Sequence, residues 1–191
     1  MLYRIANKCT SLLVERGIVE SGKKNIIFYG FELWWSTFFC VSFILMWSIL
    51  FHCPKEAIIF LVAFMSIRIP AGGYHAKSYG RCFVLTNSVA VFCIALAGIL
   101  ARVQSDYVKY AMWGAFLLAF LYIWRKAPVV TKTHPLSQNR IERNRKYAHN
   151  VLIALLVVIG ILEVLSDPFG TCTLMVTLCA AALMIKIVKE E

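Results

Sequence analysis

Apolar residues fall into six long runs, at roughly 31–53, 56–69, 83–101, 107–124, 149–165 and 171–188, parted by short polar stretches. A membrane-crossing helix needs about 20 apolar residues, with about 17–25 workable. The first, third and fourth runs meet that easily, and the last two come close. The second is short, its unbroken apolar core being only Ala57 to Ile67. Pro70 and the Gly72-Gly73 pair follow it, where a helix ending within the depth of the membrane would break. Irregular backbone survives at that depth only when buried in protein or facing water. Ahead of the first run, Leu2, Ile5, Ala6, Cys9, Leu12 and Leu13 recur at helical spacing. Arg4, Asn7, Lys8, Ser11 and Glu15 take the rest of the wheel. This predicts an amphipathic helix over 2–16 lying in the membrane interface. The expected architecture is all-α, a single integral membrane domain over 1–191. An interfacial region (1–30) precedes a six-span core (31–188) whose second helix is short.

Composition supports this reading. Of 191 residues 60% are apolar, with a mean hydropathy of +0.72, against about 45–50% apolar for soluble domains. Residues 1–30 are charged throughout, so a secretory signal is not expected. A net charge of +10 would suit nucleic acid, but the cations cluster between apolar runs and read as flanks of spans. No nucleic-acid partner is expected. The segments 1–30, 68–82, 125–150 and 186–191 hold 17 of the 20 Lys and Arg residues. Six crossings put all four on one side, which the positive-inside rule makes cytoplasmic, with both termini. The segment 125–148 reads as a basic cytoplasmic loop: Arg125, Lys126, Lys132, Arg140, Arg143, Arg145 and Lys146 stand against one acid, Glu142. Such a loop suits anionic lipid head groups and an acidic peptide alike.

The chemistry-bearing residues sit after the short run, in Arg68-Ile-Pro-Ala-Gly72-Gly73-Tyr-His75-Ala-Lys-Ser-Tyr-Gly-Arg-Cys82. A thiolate is a strong nucleophile, and an imidazole can take the thiol proton near neutral pH. On a straight helix seven residues leave His75 and Cys82 on one face but about 10.5 Å apart along the axis. A direct pair therefore needs bent or unwound backbone, which Gly80 and Lys77-Ser78-Tyr79 permit. Gly72 and Gly73 suit either a turn or backbone N–H groups aimed at an acyl oxygen. Arg68, at the end of the short run, suits a snorkelling span-end anchor. Asn87 and Glu32 could orient the histidine, as the third member of a triad does; Asn87 suits a helix–helix hydrogen bond equally. The seven cysteines lie mostly in apolar runs, and His52, His134 and His149 stand apart, so neither a disulfide framework nor a metal site is expected. Nothing implies a cofactor. Six spans with a broken helix would also suit a small transporter or permease without covalent chemistry.

The spacing Arg68-x4-Gly73-x-His75-x6-Cys82 resembles the signature of the AgrB family, membrane endopeptidases of bacterial quorum sensing. A second stretch, Ala127-Pro128-Val-Val-Thr131-Lys132-Thr-His-Pro135, is similar to that family's Ala-Pro-x-x-x-Lys-x-x-Pro run. The family often has adjacent lysines there, whereas Thr131 and Thr133 flank Lys132 here, so the role of those lysines does not carry over cleanly. The resemblance implies a homodimer in the bacterial cell membrane whose Cys82, with His75 as base, cuts a small AgrD-like pro-peptide. The product is a cyclic thiolactone or lactone. Arg68 and Gly73 are implied as needed for activity, and Gly72, Pro128, Lys132 and Pro135 as supporting or substrate-binding. Ala95, Ala97 and Gly98 are small enough for close helix approach in a dimer.

Overall fold

The computed structural model describes residues 2–72, 79–103, 105–129 and 137–190, and every regular element among them is helical. In order these are α1 (Leu2–Glu15), a 3-10 turn (Ser21–Lys23), α2 (Lys24–Leu50), α3 (Pro54–Ala71), α4 (Tyr79–Arg102), α5 (Asp106–Lys126), α6 (Gln138–Val164) and α7 (Pro168–Glu190). Each apolar run has become a helix, and the amphipathic N-terminal pattern is α1. Five helices, α2 and α4 to α7, are long and apolar enough to cross a membrane. The expected sixth, α3, has 18 residues and carries Lys55, Glu56 and Arg68. At about 1.5 Å per residue it is about 27 Å long, just short of a hydrocarbon core of about 30 Å.

The bundle is built around α3 and α7, which pack on each other and on most of the rest. One apolar cluster lies between them and α5 and α6; the other lies between them and α2 and α4. In α3 the buried residues Ala57, Phe60, Ala63, Phe64, Ile67 and Ala71 form one helical stripe. In α7, 67% of the apolar window is buried, against 17% in α2, α5 and α6. Small residues allow this. Thr173 Oγ1 donates to Phe169 O (2.7 Å) and Thr177 Oγ1 to Thr173 O (2.6 Å), so these two hydroxyls are satisfied by their own helix. Large apolar side chains point outward instead: Leu50, Phe92 and Leu118 are each more than half exposed, a surface suited to lipid rather than water.

Asp167 organises the end of the bundle remote from Cys82. Just ahead of α7, its Oδ1 accepts the Gly170 N–H of the first turn, as an N-cap aspartate does, with Pro168 in the first helical position. Its other oxygen pairs with Lys55 of α3, and Lys109 of α5 pairs with Glu163 of α6 at 2.9 Å.

The expected basic loop over 125–148 is corrected. Arg125 and Lys126 belong to the last turn of α5, and α6 begins at Gln138, so Arg140, Arg143, Arg145 and Lys146 are helical. The Ser137 carbonyl starts that helix by accepting from the amides of Arg140 (2.9 Å) and Ile141 (3.0 Å). Arginine, lysine, glutamine and glutamate are good helix formers, so the helix runs on past its apolar part into a charged extension. With 27 residues α6 is about 40 Å long, about 10 Å more than the hydrocarbon core.

Candidate active site

Cys82 is the fourth residue of α4 and half-buried. In the first turn of a helix, backbone N–H groups lack intrahelical partners and present the positive end of the helix dipole. The second positive element is Arg68, in the last turn of α3. Its guanidinium turns into the bundle. It stacks over the Phe64 ring at 5.5 Å, its Nη1 donates to Met184 Sδ at 3.7 Å, and it lies within Coulombic reach of the Cys82 and Cys40 thiols. A snorkelling anchor would point toward water, whereas this guanidinium lies against Phe64 and Met184.

Asn87, 6% exposed, lies one turn deeper on α4. Its Nδ2 donates to Phe83 O (2.8 Å) and contacts Cys40 Sγ (3.4 Å), while its Oδ1 is buried without a partner among the described residues. It joins α2 to α4, the helix–helix role that sequence left open beside the orienting one. Nearby the Phe43 ring meets Phe83 edge-on at 5.5 Å, so the middle of α2 lies beside the first turns of α4. Glu32 is half-buried nearer the start of α2.

Gly72 closes α3 with φ +76° and ψ −159°, a region that essentially only glycine occupies. Its N–H donates to Arg68 O at 3.1 Å, so that amide caps the helix and is not aimed at an acyl oxygen. A Cβ at this position would stand 3.0 Å from Val129 O. Here the two sequence motifs meet: Val129 N donates to Ala71 O at 2.9 Å, and Pro128, after a cis peptide bond, leads α5 into that contact. Gly73, His75, Lys132 and Pro135 lie outside the described residues.

Cys40 and Val129 were not singled out from sequence. Cys40 reads as one more apolar thiol in a span, and its neighbourhood depends on how α2 packs on α4. Val129 acts through its backbone, so no side-chain pattern marks it. Ala97, expected to permit close approach of a second copy, is fully buried within the chain.

No solved structure matches this chain. It is 25% identical over 150 residues to AgrB-like protein 2 of Clostridium perfringens (strain 13), covering 77% of this chain and 68% of that protein. It is 22% identical over 148 residues to an AgrB-like protein of C. perfringens (strain SM101), covering 76% and 69%. An AgrB-like protein of Clostridium acetobutylicum is 30% identical over 128 residues, covering 65% and 57%. The family pattern for accessory gene regulator B matches residues 6–187, nearly the whole chain. The chain belongs to the AgrB family and is a multi-pass membrane protein of the agr quorum-sensing system.

Proposed function

We propose that the chain is a cysteine endopeptidase that removes the C-terminal tail of a small AgrD-type pro-peptide and closes the remainder into a thiolactone or lactone. The observation that carries this is the placement of Cys82. It sits in the first turn of α4, with the Arg68 guanidinium in Coulombic reach, in a chain of the AgrB family. Helix end and guanidinium both put positive potential at the sulfur, where an attacking thiolate carries negative charge.

His75 takes the Cys82 proton, and the thiolate attacks the scissile carbonyl. The S–C bond forms as the C–N bond breaks, and the tail leaves as an amine after accepting that proton from the imidazolium. The acyl-enzyme is a thioester. A thiol or hydroxyl within the same peptide gives its proton to His75, attacks the thioester carbonyl and releases Cys82, which is reprotonated as the ring closes. A thioester or ester lies above the peptide bond it replaces, so excluding water from the acyl-enzyme and removing the tail are what draw the reaction forward. The charged extension of α6, with Arg125 and Lys126 of α5, holds an acidic tail or anionic head groups near that end of the bundle. The chain acts as a homodimer with six spans, α3 included, with α1 in the interface and both termini and Cys82 cytoplasmic.

The test is cleavage of an AgrD-type pro-peptide in proteoliposomes. Cys82→Ala should insert normally and form no product or acyl-enzyme, whereas Cys93→Ala, deep in the apolar core, should keep activity. Full activity in Cys82→Ala would end the proposal, and a transporter would tolerate Cys82→Ser.

A further inference from the structure

At the end of the bundle remote from Cys82, a cavity of about 490 Å³ lies where the ends of α4 and α6 meet the starts of α5 and α7. That is within the size range of small-ligand sites. Asp106, Lys109, Glu163 and Asp167 line it near the helix ends, and Met112, Trp113, Cys172 and Met175 line it further in. From Asp106 to Trp113, and from Pro168 to Met175, the walls run about 10 Å inward. Lys109 pairs with Glu163, and Asp167 with Lys55 of α3, whereas Asp106 is in no ion pair among the described residues. Three carboxylates thus share the cavity with one ammonium. Thr171, one turn into α7, forms part of the wall and is 5% exposed. Its Oγ1 is buried with no partner among the described residues.

We propose that this cavity binds a primary ammonium carried on an apolar body, the chemistry shared by an aminophospholipid and a free alkylamine. The inference is independent of the peptidase reading. Among the described residues no group of acids is placed to hold a metal ion, so the surplus negative charge calls for an organic cation. An ammonium has three N–H donors and no acceptor. It donates to the Asp106 carboxylate and to the Thr171 hydroxyl oxygen, a charge-assisted bond and a partner for a buried polar group that would otherwise lack one. The apolar body covers Met112, Met175 and the Trp113 ring. Water would answer the hydroxyl, but it neither balances Asp106 nor covers the apolar walls. An anion or a plain acyl chain would leave the carboxylates uncompensated. Such a ligand touches four helices at once, so its binding stabilises the whole bundle.

The experiment uses the full chain in phosphatidylglycerol nanodiscs, with decylamine as the probe and decanol, of the same tail, as its uncharged control. The rise of Tm with probe concentration gives Kd. Decylamine should raise Tm saturably and decanol should not. Asp106→Asn should weaken decylamine about tenfold or more, and Asp106→Glu should recover part of the loss. Asp106→Asn also loses a favourable charge at the start of α5, so Kd is compared rather than Tm. Thr171→Val should weaken decylamine about two- to tenfold and, with no partner to lose, hold the ligand-free Tm. In discs that mix phosphatidylethanolamine with phosphatidylglycerol, native mass spectrometry separates the two sources. Phosphatidylethanolamine retained by the parent and lost from Asp106→Asn marks a membrane lipid; decylamine binding without such retention marks a free amine. Equal effects of decylamine and decanol, or an unchanged Kd in both Asp106→Asn and Thr171→Val, would overturn the proposal and leave a gap that any tail fills. A marked fall in the ligand-free Tm of Thr171→Val would overturn it too, by revealing a partner for the hydroxyl within the protein.

Discussion

Replacing Gly72 by alanine tests the joint between the two motifs. At φ +76° and ψ −159° any residue with a Cβ is strained by about 1–3 kcal/mol. The new Cβ would also sit 3.0 Å from Val129 O, closer than most real contacts. Moving the 127–129 segment aside relieves the crowding but breaks the 2.9 Å bond from Val129 N to Ala71 O, worth about 0.5–1.5 kcal/mol net. Moving Gly72 into an ordinary region redirects the chain leaving α3. Each route undocks Val129 at a cost of about 1–3 kcal/mol, which shifts the docked population about five- to a hundredfold. Hydrogen exchange of the Val129 amide in nanodiscs reads this directly, and exchange should quicken by that factor. Gly98→Ala is the control: its Cβ meets nothing within 4 Å, and alanine suits a helix interior better by about 0.5–1 kcal/mol. If the Val129 amide exchanges at the parent rate in Gly72→Ala, the reasoning fails, because neither the backbone region nor the contact then constrains this joint.

Three further outcomes are expected. Partial burial alone would raise the Asp167 carboxyl, but the Lys55 ammonium and the Gly170 N–H outweigh it and hold its pKa below the ordinary carboxylate value. The folded value is the lower one, so this stabilisation is whole above about pH 4 and fades as pH falls through the folded value. Tm should be flat through neutrality and drop more steeply in acid for the parent than for Asp167→Asn; equal acid slopes would count against the pair. Ala6→Leu should free α1 from α2, since Ala6 is fully buried and overpacking costs about 1–3 kcal/mol. Faster proteolysis in the turn around Gly17 would show it, and an unchanged rate would mean α1 is held elsewhere. Asn87→Leu should hold or raise Tm, because Asn87 Oδ1 has no partner among the described residues to lose; a marked fall would reveal one.

The helices were legible because apolar runs of span length have few other fates, and α1 because its periodicity is helical. The centre of the bundle was not. In lipid a helix can be apolar all round whether it faces chains or acyl tails, so no amphipathic stripe distinguishes α7 from α5. The available clue was the threonine spacing of α7, Thr173 and Thr177, whose hydroxyls fold back on their own helix. The basic stretch was misjudged because charge was read as loop, although arginine, lysine and glutamate favour helix once Ser137 starts one. Cys82 and Arg68 could be named as candidates from residue type and spacing alone. That Arg68 points inward toward Cys82 and Cys40 depends on α3 ending one turn later at Gly72, and on how α2, α4 and α7 close around it.

The second motif gains a structural meaning from the end of α3. A helix leaves its last carbonyls without intrahelical partners, and at membrane depth each must find one within the protein. In α3 the Arg68 carbonyl takes the Gly72 N–H, and the Ala71 carbonyl takes the Val129 N–H from the other motif. The segment after α5 therefore acts as a cap for the helix that carries Arg68, which ties two stretches about 60 residues apart into one joint. Through α3 the cap reaches Arg68, and through Arg68 the electrostatic setting of Cys82. Val129→Pro, which removes the donor and leaves every catalytic candidate in place, should then loosen the end of α3 as Gly72→Ala does. It should slow pro-peptide cleavage while Tm, dominated by the apolar clusters around α7, hardly moves. Cleavage at the parent rate with the Ala71 carbonyl left unpaired would show that the joint is structural alone.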